Sequence, residues 1–368
     1  MRFSISLLSV LSSVLVIFPS SGPVQQNATA DKPPANRKPV LKERRSATAE
    51  RRIVLDVVVT DKSGKPVARL REQDFSLLDQ NVPRTFSFHP SEQIGNTSDL
   101  PPDPPMQAIL VVDAENASAL TVSYETQQLQ RFLRRGRLPI PMSVVVFTDT
   151  STRTLKPDST IDGNALADSL RANPLGLRAM EAGANERADR IQRSIYALEK
   201  IMESEEKKAG RKLLIWVSPG WPFLSAPNVD LTDRERRMLF DNVVLISQEL
   251  NDARITLYSV DPTELGDAGS LRTVDFQSFL KGVTAANKVE YGDIALPVLA
   301  TQSGGLVLNS GNSFLKLVET PLRDAEAFYT FSFDAPRAGN PDEYHSLEVK
   351  INRPGMTART RTGYYAQP

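Results

Sequence analysis

The stretch Gln107-Ala108-Ile109-Leu110-Val111-Val112-Asp113-Ala114-Glu115-Asn116-Ala117-Ser118 decides the fold. Its first half is a continuous apolar run, which suits a parallel strand covered on both faces. Asp113 to Ser118 follows as an acidic, hydroxyl-bearing turn. A helix then begins, because Leu129, Phe132 and Leu133 fall at helical spacing and Gly136 stops them. Such a turn lies at the carboxyl end of its strand, where open α/β sheets bind ligands.

Working outward, strand and helix patterns alternate over residues 106–325. Ser143–Thr148, Leu213–Val217 and Ile255–Val260 read as further buried strands, and Leu306–Leu308 as a short one. Ile161–Ala172 and Asp233–Asn251 read as helices. Ala188, Ile191, Ile195, Leu198 and Met202 make one face of another. Two more are expected to be interrupted by proline: Ile294–Gln302 near Pro297, and Phe314–Ala325 at Pro321.

On either side of this domain the pattern turns to β. Residues 51–90 hold Ile53–Thr60, Asp74–Asp79 and Arg84–Phe88, with turns at Asp61–Pro66 and Gln80-Asn81. Residues 326–368 hold Phe328–Phe333, Leu347–Ile351 and Thr357–Tyr365. Each set alone has too few strands to hide its edges. The expected architecture is therefore an α/β doubly wound, mostly parallel sheet inserted in a β-sandwich built from both ends of the chain. Residues 91–105 form a Pro-rich linker and residues 23–50 a basic, disordered one. Residues 1–22 read as a secretory signal peptide: Arg2, an apolar core from Ile5 to Phe18, then Pro19-Ser20-Ser21-Gly22. The mature protein is expected to be secreted or periplasmic, with no membrane insertion after cleavage.

Composition excludes several chemistries. The 368 residues carry a formal net charge of zero, so no global field draws nucleic acid. Cysteine is absent, which removes disulfides, thiolate zinc sites and thiol nucleophiles. His89 and His345 stand far from Ser218 in sequence, and Ser218 lacks a nucleophile-elbow context. No Gly-rich loop follows the first α/β strand. Asp113, Glu115, Asp149 and Asp261 end strands at one rim, and Trp221 sits there in a Pro-bracketed loop, either as an exposed anchor or packed beneath it. The run Glu205-Glu206-Lys207-Lys208 reads as a solvated helix end, and Arg353, Arg359 and Arg361 as an exposed sheet face or edge.

In the order of its elements the chain resembles the von Willebrand factor A fold, and more closely the acidobacterial VWFA-related secreted proteins, over roughly residues 50 to 366. The carriers are Leu55–Val67, Asp74–Asp79, Arg211–Gly220, Leu257–Pro262, Ser303-Gly304-Gly305 and Arg361–Ala366. The resemblance implies one short antiparallel edge strand and a metal-ion-dependent adhesion site reading Asp-x-Ser-x-Ser. Asp113 matches the first position, but Glu115 and Ala117 occupy the two serine positions and Ser118 is one place late. Threonine is missing between Thr160 and Thr232, and Pro219 stands where an Asp is expected before Gly220. The site is degenerate, so no cofactor is expected. If a metal binds, it is weakly held magnesium or calcium on Asp113 and Glu115.

The resulting reading is a non-enzymatic adhesion-type module that binds a protein partner through a rim of Asp113, Glu115, Asn116, Ser118, Asp149, Ser218 and Trp221, without metal. The alternatives are a hydrolase of an extracytoplasmic polymer using rim carboxylates, or a structural envelope component.

Overall fold

The computed structural model describes residues 52–91, 106–156, 158–173, 175, 184–223, 231–263, 275–309 and 313–368. The proposed signal, the basic linker and all but Ser91 of the Pro-rich linker lie outside the described residues.

Four strands come first: β1 (Arg52–Thr60), β2 (Phe75–Asp79), β3 (Val82–Arg84) and β4 (Ser87–Pro90). Gln80 and Asn81 both take positive φ, 51° and 63°, which matches the twist a two-residue hairpin turn needs between β2 and β3. The α/β part runs β5 (Gln107–Asp113), α1 (Ala119–Leu133), β6 (Arg137–Phe147), β7 (Thr152–Thr154), β8 (Thr160–Asp162), α2 (Gly163–Ala172), α3 (Ala184–Glu206), β9 (Lys212–Val217), α4 (Asp233–Asp252), β10 (Ile255–Asp261), α5 (Leu296–Gln302), β11 (Val307–Asn309) and α6 (Phe314–Arg323). The chain closes with β12 (Tyr329–Asp334), β13 (Glu343–Ile351), β14 (Thr357–Arg359) and β15 (Gly363–Ala366).

Among the described residues the α/β strands pair in the order β11-β10-β9-β5-β6-β7, with β8 also on β6. The five strands β5, β6, β9, β10 and β11 run parallel. β5 lies in the middle and all seven of its residues are buried. Alternation along it explains why: Ile109 and Val111 pack with Leu214, Trp216, α3 and α4 on one face. Ala108, Leu110 and Val112 pack with Ile215, α1, α2 and α6 on the other.

Two antiparallel strands, β7 and β8, pair with β6, where the resemblance implies one. The cause is the length of β6. It starts at Arg137, earlier than the apolar run suggests, because Leu138 and Ile140 point inward while Pro139 and Pro141 occupy the segment beyond the reach of β5. Pro297 does not break α5; it sits in the first turn, where a missing N–H costs nothing. Pro321 likewise lies inside α6 without ending it.

The remaining strands form two antiparallel sheets, β14-β1-β12-β4 and β15-β13-β2-β3, each drawing strands from both ends of the chain. Leu55, Val57, Phe75, Leu77, Phe331 and Val349 belong to one apolar cluster that spans both sheets. Polar ties join these sheets to the α/β part: Arg254 Nη2 donates to Asp56 Oδ1 at 2.5 Å, and Arg359 pairs with Asp324, which also accepts from Tyr258 OH at 2.6 Å within the α/β part. Arg359 is therefore partly buried and Arg361 almost wholly so, which corrects the exposed-edge expectation for this pair. The sequence pattern could not reveal that β14 and β15 turn toward α4 and α6. Glu205 is also buried, bonded to Gln107 and Lys208, so the helix end at 205–208 is only partly solvated.

Candidate functional site

Asp113 ends β5 with a carboxylate that has no exposed surface. It shapes the turn beneath it. Oδ1 accepts from Glu115 N at 3.1 Å and Asn116 N at 2.9 Å, an Asx-type turn that bends the chain toward α1. Oδ2 accepts from Trp216 Nε1 at 2.9 Å and Asn116 Nδ2 at 3.0 Å. Burial pushes the Asp113 pKa up, and hydrogen bonds from Trp216, Asn116 and Ser218 pull against that rise. Ser118 then caps α1, its Oγ accepting from Thr121 N at 3.1 Å.

The turn is held from the side by α3. Arg193 donates to Glu115 Oε1 through Nε at 2.8 Å and Nη2 at 2.6 Å, and its Nη2 also meets Glu186 at 3.0 Å. Asn116 Nδ2 reaches Ser194 Oγ at 2.8 Å. Arg190, one turn before Ser194, is buried, and its Nε and Nη1 find no acceptor among the described residues. Desolvation lowers its pKa, while the charges of Glu115, Glu186 and Asp113 oppose that shift.

Behind this network Ser218 Oγ accepts from Gly220 N at 3.1 Å, and Trp221 stacks edge-on against Trp216 with centroids 5.2 Å apart. Ser218 and Trp221 have no exposed surface. Trp221 is thus packed under its own loop and is not an exposed anchor. Asp113, Glu115, Asn116 and Ser218 are buried too, so they support the rim from beneath and do not form its outer surface. Ser118 is exposed and Asp149, in the β6–β7 connection, is partly exposed. Asp261 is buried at the end of β10, where its Oδ1 accepts from Thr263 N at 2.9 Å and Thr263 Oγ1 at 2.8 Å.

Hydrophobic periodicity passes over four residues that matter here. Glu125 lies on the buried face of α1 with Val122 and Leu129, and neither of its oxygens has a hydrogen-bond partner among the described residues. Burial raises its pKa well above the ordinary value, and the nearby charges of Asp113 and Asp261 add to the rise. A carboxylate on an otherwise apolar helical stripe is the signal that marks it. Arg187, Arg190 and Arg193 recur every third residue, which marks the basic face of α3. On the outside, Leu120 is 82% exposed and Tyr124 44% exposed, one turn apart at the start of α1.

The donor set does not fit a metal. Magnesium and calcium want oxygen ligands, six or more, with room for water. Here N–H groups take both oxygens of Asp113, Arg193 takes Oε1 of Glu115, Ala117 offers no hydroxyl and Ser118 is committed to its cap, which leaves the buried Asn116 Oδ1 as a lone oxygen without a hydrogen-bond partner among the described residues. Among the described residues, no cluster of three or more His, Cys, Asp or Glu side chains has metal-binding geometry.

No family profile matches the chain, and no curated protein does. Solved structures similar to it include proximal thread matrix protein 1 from the mussel byssus, at 13% identity and a TM-score of 0.31, covering 60% of this chain and 46% of that one. The vWF domain of the type V pili tip protein Mfa5 from Porphyromonas gingivalis shares 17% identity at a TM-score of 0.23, covering 32% of this chain and 38% of that one. The SpRpn10 VWA domain shares 12% identity at a TM-score of 0.27, covering 60% of this chain and 96% of that one. The chain thus spans about half the length or less of the first two.

Proposed function

We propose that this chain is an exported protein-binding module, an α/β domain inserted in a β-sandwich, that meets its partner at the carboxyl-end edge of the parallel sheet without a bridging metal. The observation that carries the reading is the apolar pair at that edge. Leu120 and Tyr124 project from the first turns of α1 beside the Ser118 cap, one turn apart, so their apolar surfaces adjoin on one exposed face. The partner-facing surface is then Ser118, Leu120, Tyr124 and Asp149. Asp113, Glu115, Asn116, Ser218 and Trp221 hold that surface rigid from below, which lowers the ordering cost of binding.

The test is photo-crosslinking from positions 120 and 124 in the envelope fraction of the native host, with Leu120→Asp and Tyr124→Ala as comparisons. An aspartate in the first turn of α1 suits the helix N-terminus, so Leu120→Asp leaves the unfolding midpoint unchanged or slightly raised. A discrete adduct that disappears with Leu120→Asp and persists in EDTA supports the reading. The same adducts from wild type and both variants, or adducts that require divalent metal, would refute it.

A further inference from the structure

We propose that the guanidinium of Arg193, with that of Arg190 buried beside it, takes the place a divalent cation would otherwise need to fill at this strand end, pairing with Glu115 and locking the 113–118 turn to α3. This deepens the metal-free part of the functional reading.

The argument begins with cost. Two carboxylates, at positions 113 and 115, are both buried, and removing each from water costs several kcal/mol unless opposite charge or N–H donors replace the lost hydration. A metal ion with oxygen ligands is one solution. The donors present constitute the other. Asp113 has its lone pairs engaged by two backbone N–H groups, the Asn116 amide and the Trp216 indole, so a cation would have to break those bonds to coordinate. Glu115 takes two N–H donors of Arg193 on one oxygen at 2.6 and 2.8 Å, a charge-assisted contact from a group that cannot be deprotonated.

Arg190 supplies the second charge. It is buried on the same helix face, its Nε and Nη1 have no acceptor among the described residues, and the charges of Glu115, Glu186 and Asp113 favour its charged form there. The bond from Asn116 to Ser194, and from Ser194 Oγ to Arg190 O at 2.8 Å, fixes α3 at the distance this requires. A cation at Asp113 or at Glu115 Oε1 would have to displace N–H donors already bound there. The arginines and a metal are therefore alternatives, and an edge built on arginine keeps its shape at any metal concentration.

The experiment is thermal unfolding of the full chain in EDTA and in millimolar magnesium, calcium or manganese, for wild type, Arg193→Met, Glu115→Gln/Arg193→Met and Asp113→Asn. Wild type should show the same midpoint in every buffer. Arg193→Met should lose at least about 5 °C in EDTA, since it strands a buried carboxylate, and recover part of that loss saturably with metal. The double variant should regain the loss without metal and show no metal response. If Arg193→Met does not fold in EDTA, the double variant still decides, because it folds only if Glu115 charge was the cause. A saturable rise in the wild type that Asp113→Asn abolishes would overturn the proposal. So would an Arg193→Met protein as stable as wild type, one that metal does not rescue, or a rescue that survives in the double variant. Leu120 and Tyr124 play no part in this measurement, so its failure is separable from a failure of the partner-binding reading.

Discussion

Replacing Glu125 with methionine should stabilise the protein, and by more as the pH rises. Glu125 has no exposed surface and no hydrogen-bond partner for either oxygen among the described residues. A buried polar group left unbonded costs about 1–3 kcal/mol. Methionine has nearly the same length, keeps helix propensity and carries no polar atom to desolvate, so at pH 5 the gain should be about 1–2 kcal/mol. The proton adds a second part. Burial, then the charges of Asp113 and Asp261, raise the folded-state pKa well above the ordinary value of 4.5. A carboxyl raised on folding contributes stability that is complete below its unfolded pKa and is lost as pH climbs through its folded pKa. Each pH unit crossed in that window costs about 1.4 kcal/mol. Methionine removes this slope. Urea unfolding of wild type and Glu125→Met at pH 5, 6.5 and 8 measures both parts, and Glu125→Gln separates them by removing the proton while keeping the unbonded polar atoms. A difference between wild type and Glu125→Met that does not grow with pH, or a methionine variant less stable throughout, would refute the reasoning.

Other perturbations have equally definite outcomes. Trp216→Phe should cost about 2–3 kcal/mol beyond its lost area, because buried Asp113 loses a donor, while Trp221→Phe should cost nothing beyond its lost area, since its indole N–H has no acceptor among the described residues; chemical denaturation of the pair gives the contrast. Asp79→Ala should destabilise by about 3–5 kcal/mol in the same assay, because Asp79 is buried and accepts from His345 at 2.8 Å and Tyr364 at 3.1 Å while pairing with Arg84 at 3.3 Å. Asp293, raised to about 6 chiefly by burial, should make stability fall as pH rises from about 4 to about 6, and Asp293→Asn should flatten that part of the profile.

Much of the fold was legible residue by residue. The apolar runs of β5, β9 and β10 announced strands covered on both faces, and the caps and glycines around α1 marked its ends; Gly136 takes φ of 102° immediately after it. Where the reading slipped, local chemistry was overruled by packing. The strand was read from Ser143, yet β6 begins at Arg137, with Leu138 and Ile140 drawn into the core beside Pro139 and Pro141. Arg359 and Arg361 looked like edge charges, yet Arg359 at the end of β14 pairs with Asp324, and Arg361 is buried in the connection to β15. Glu115 read as part of an acidic rim because its own neighbourhood holds nothing basic. Its counter-charge lies 78 residues later, on a helix whose apolar face alone was visible in the periodicity.

The sequence by itself determined a doubly covered parallel strand ending in an acidic turn, because strand period, burial and turn chemistry are local properties. Only the tertiary structure decided that the turn's carboxylates are buried, that Arg193 and Asn116 join it to α3, and that Leu120 and Tyr124 are what remains outside. The physical reason is range. Hydrogen bonds within a turn are set by a few adjacent residues, whereas neutralising a buried charge depends on which distant helix the fold brings against it.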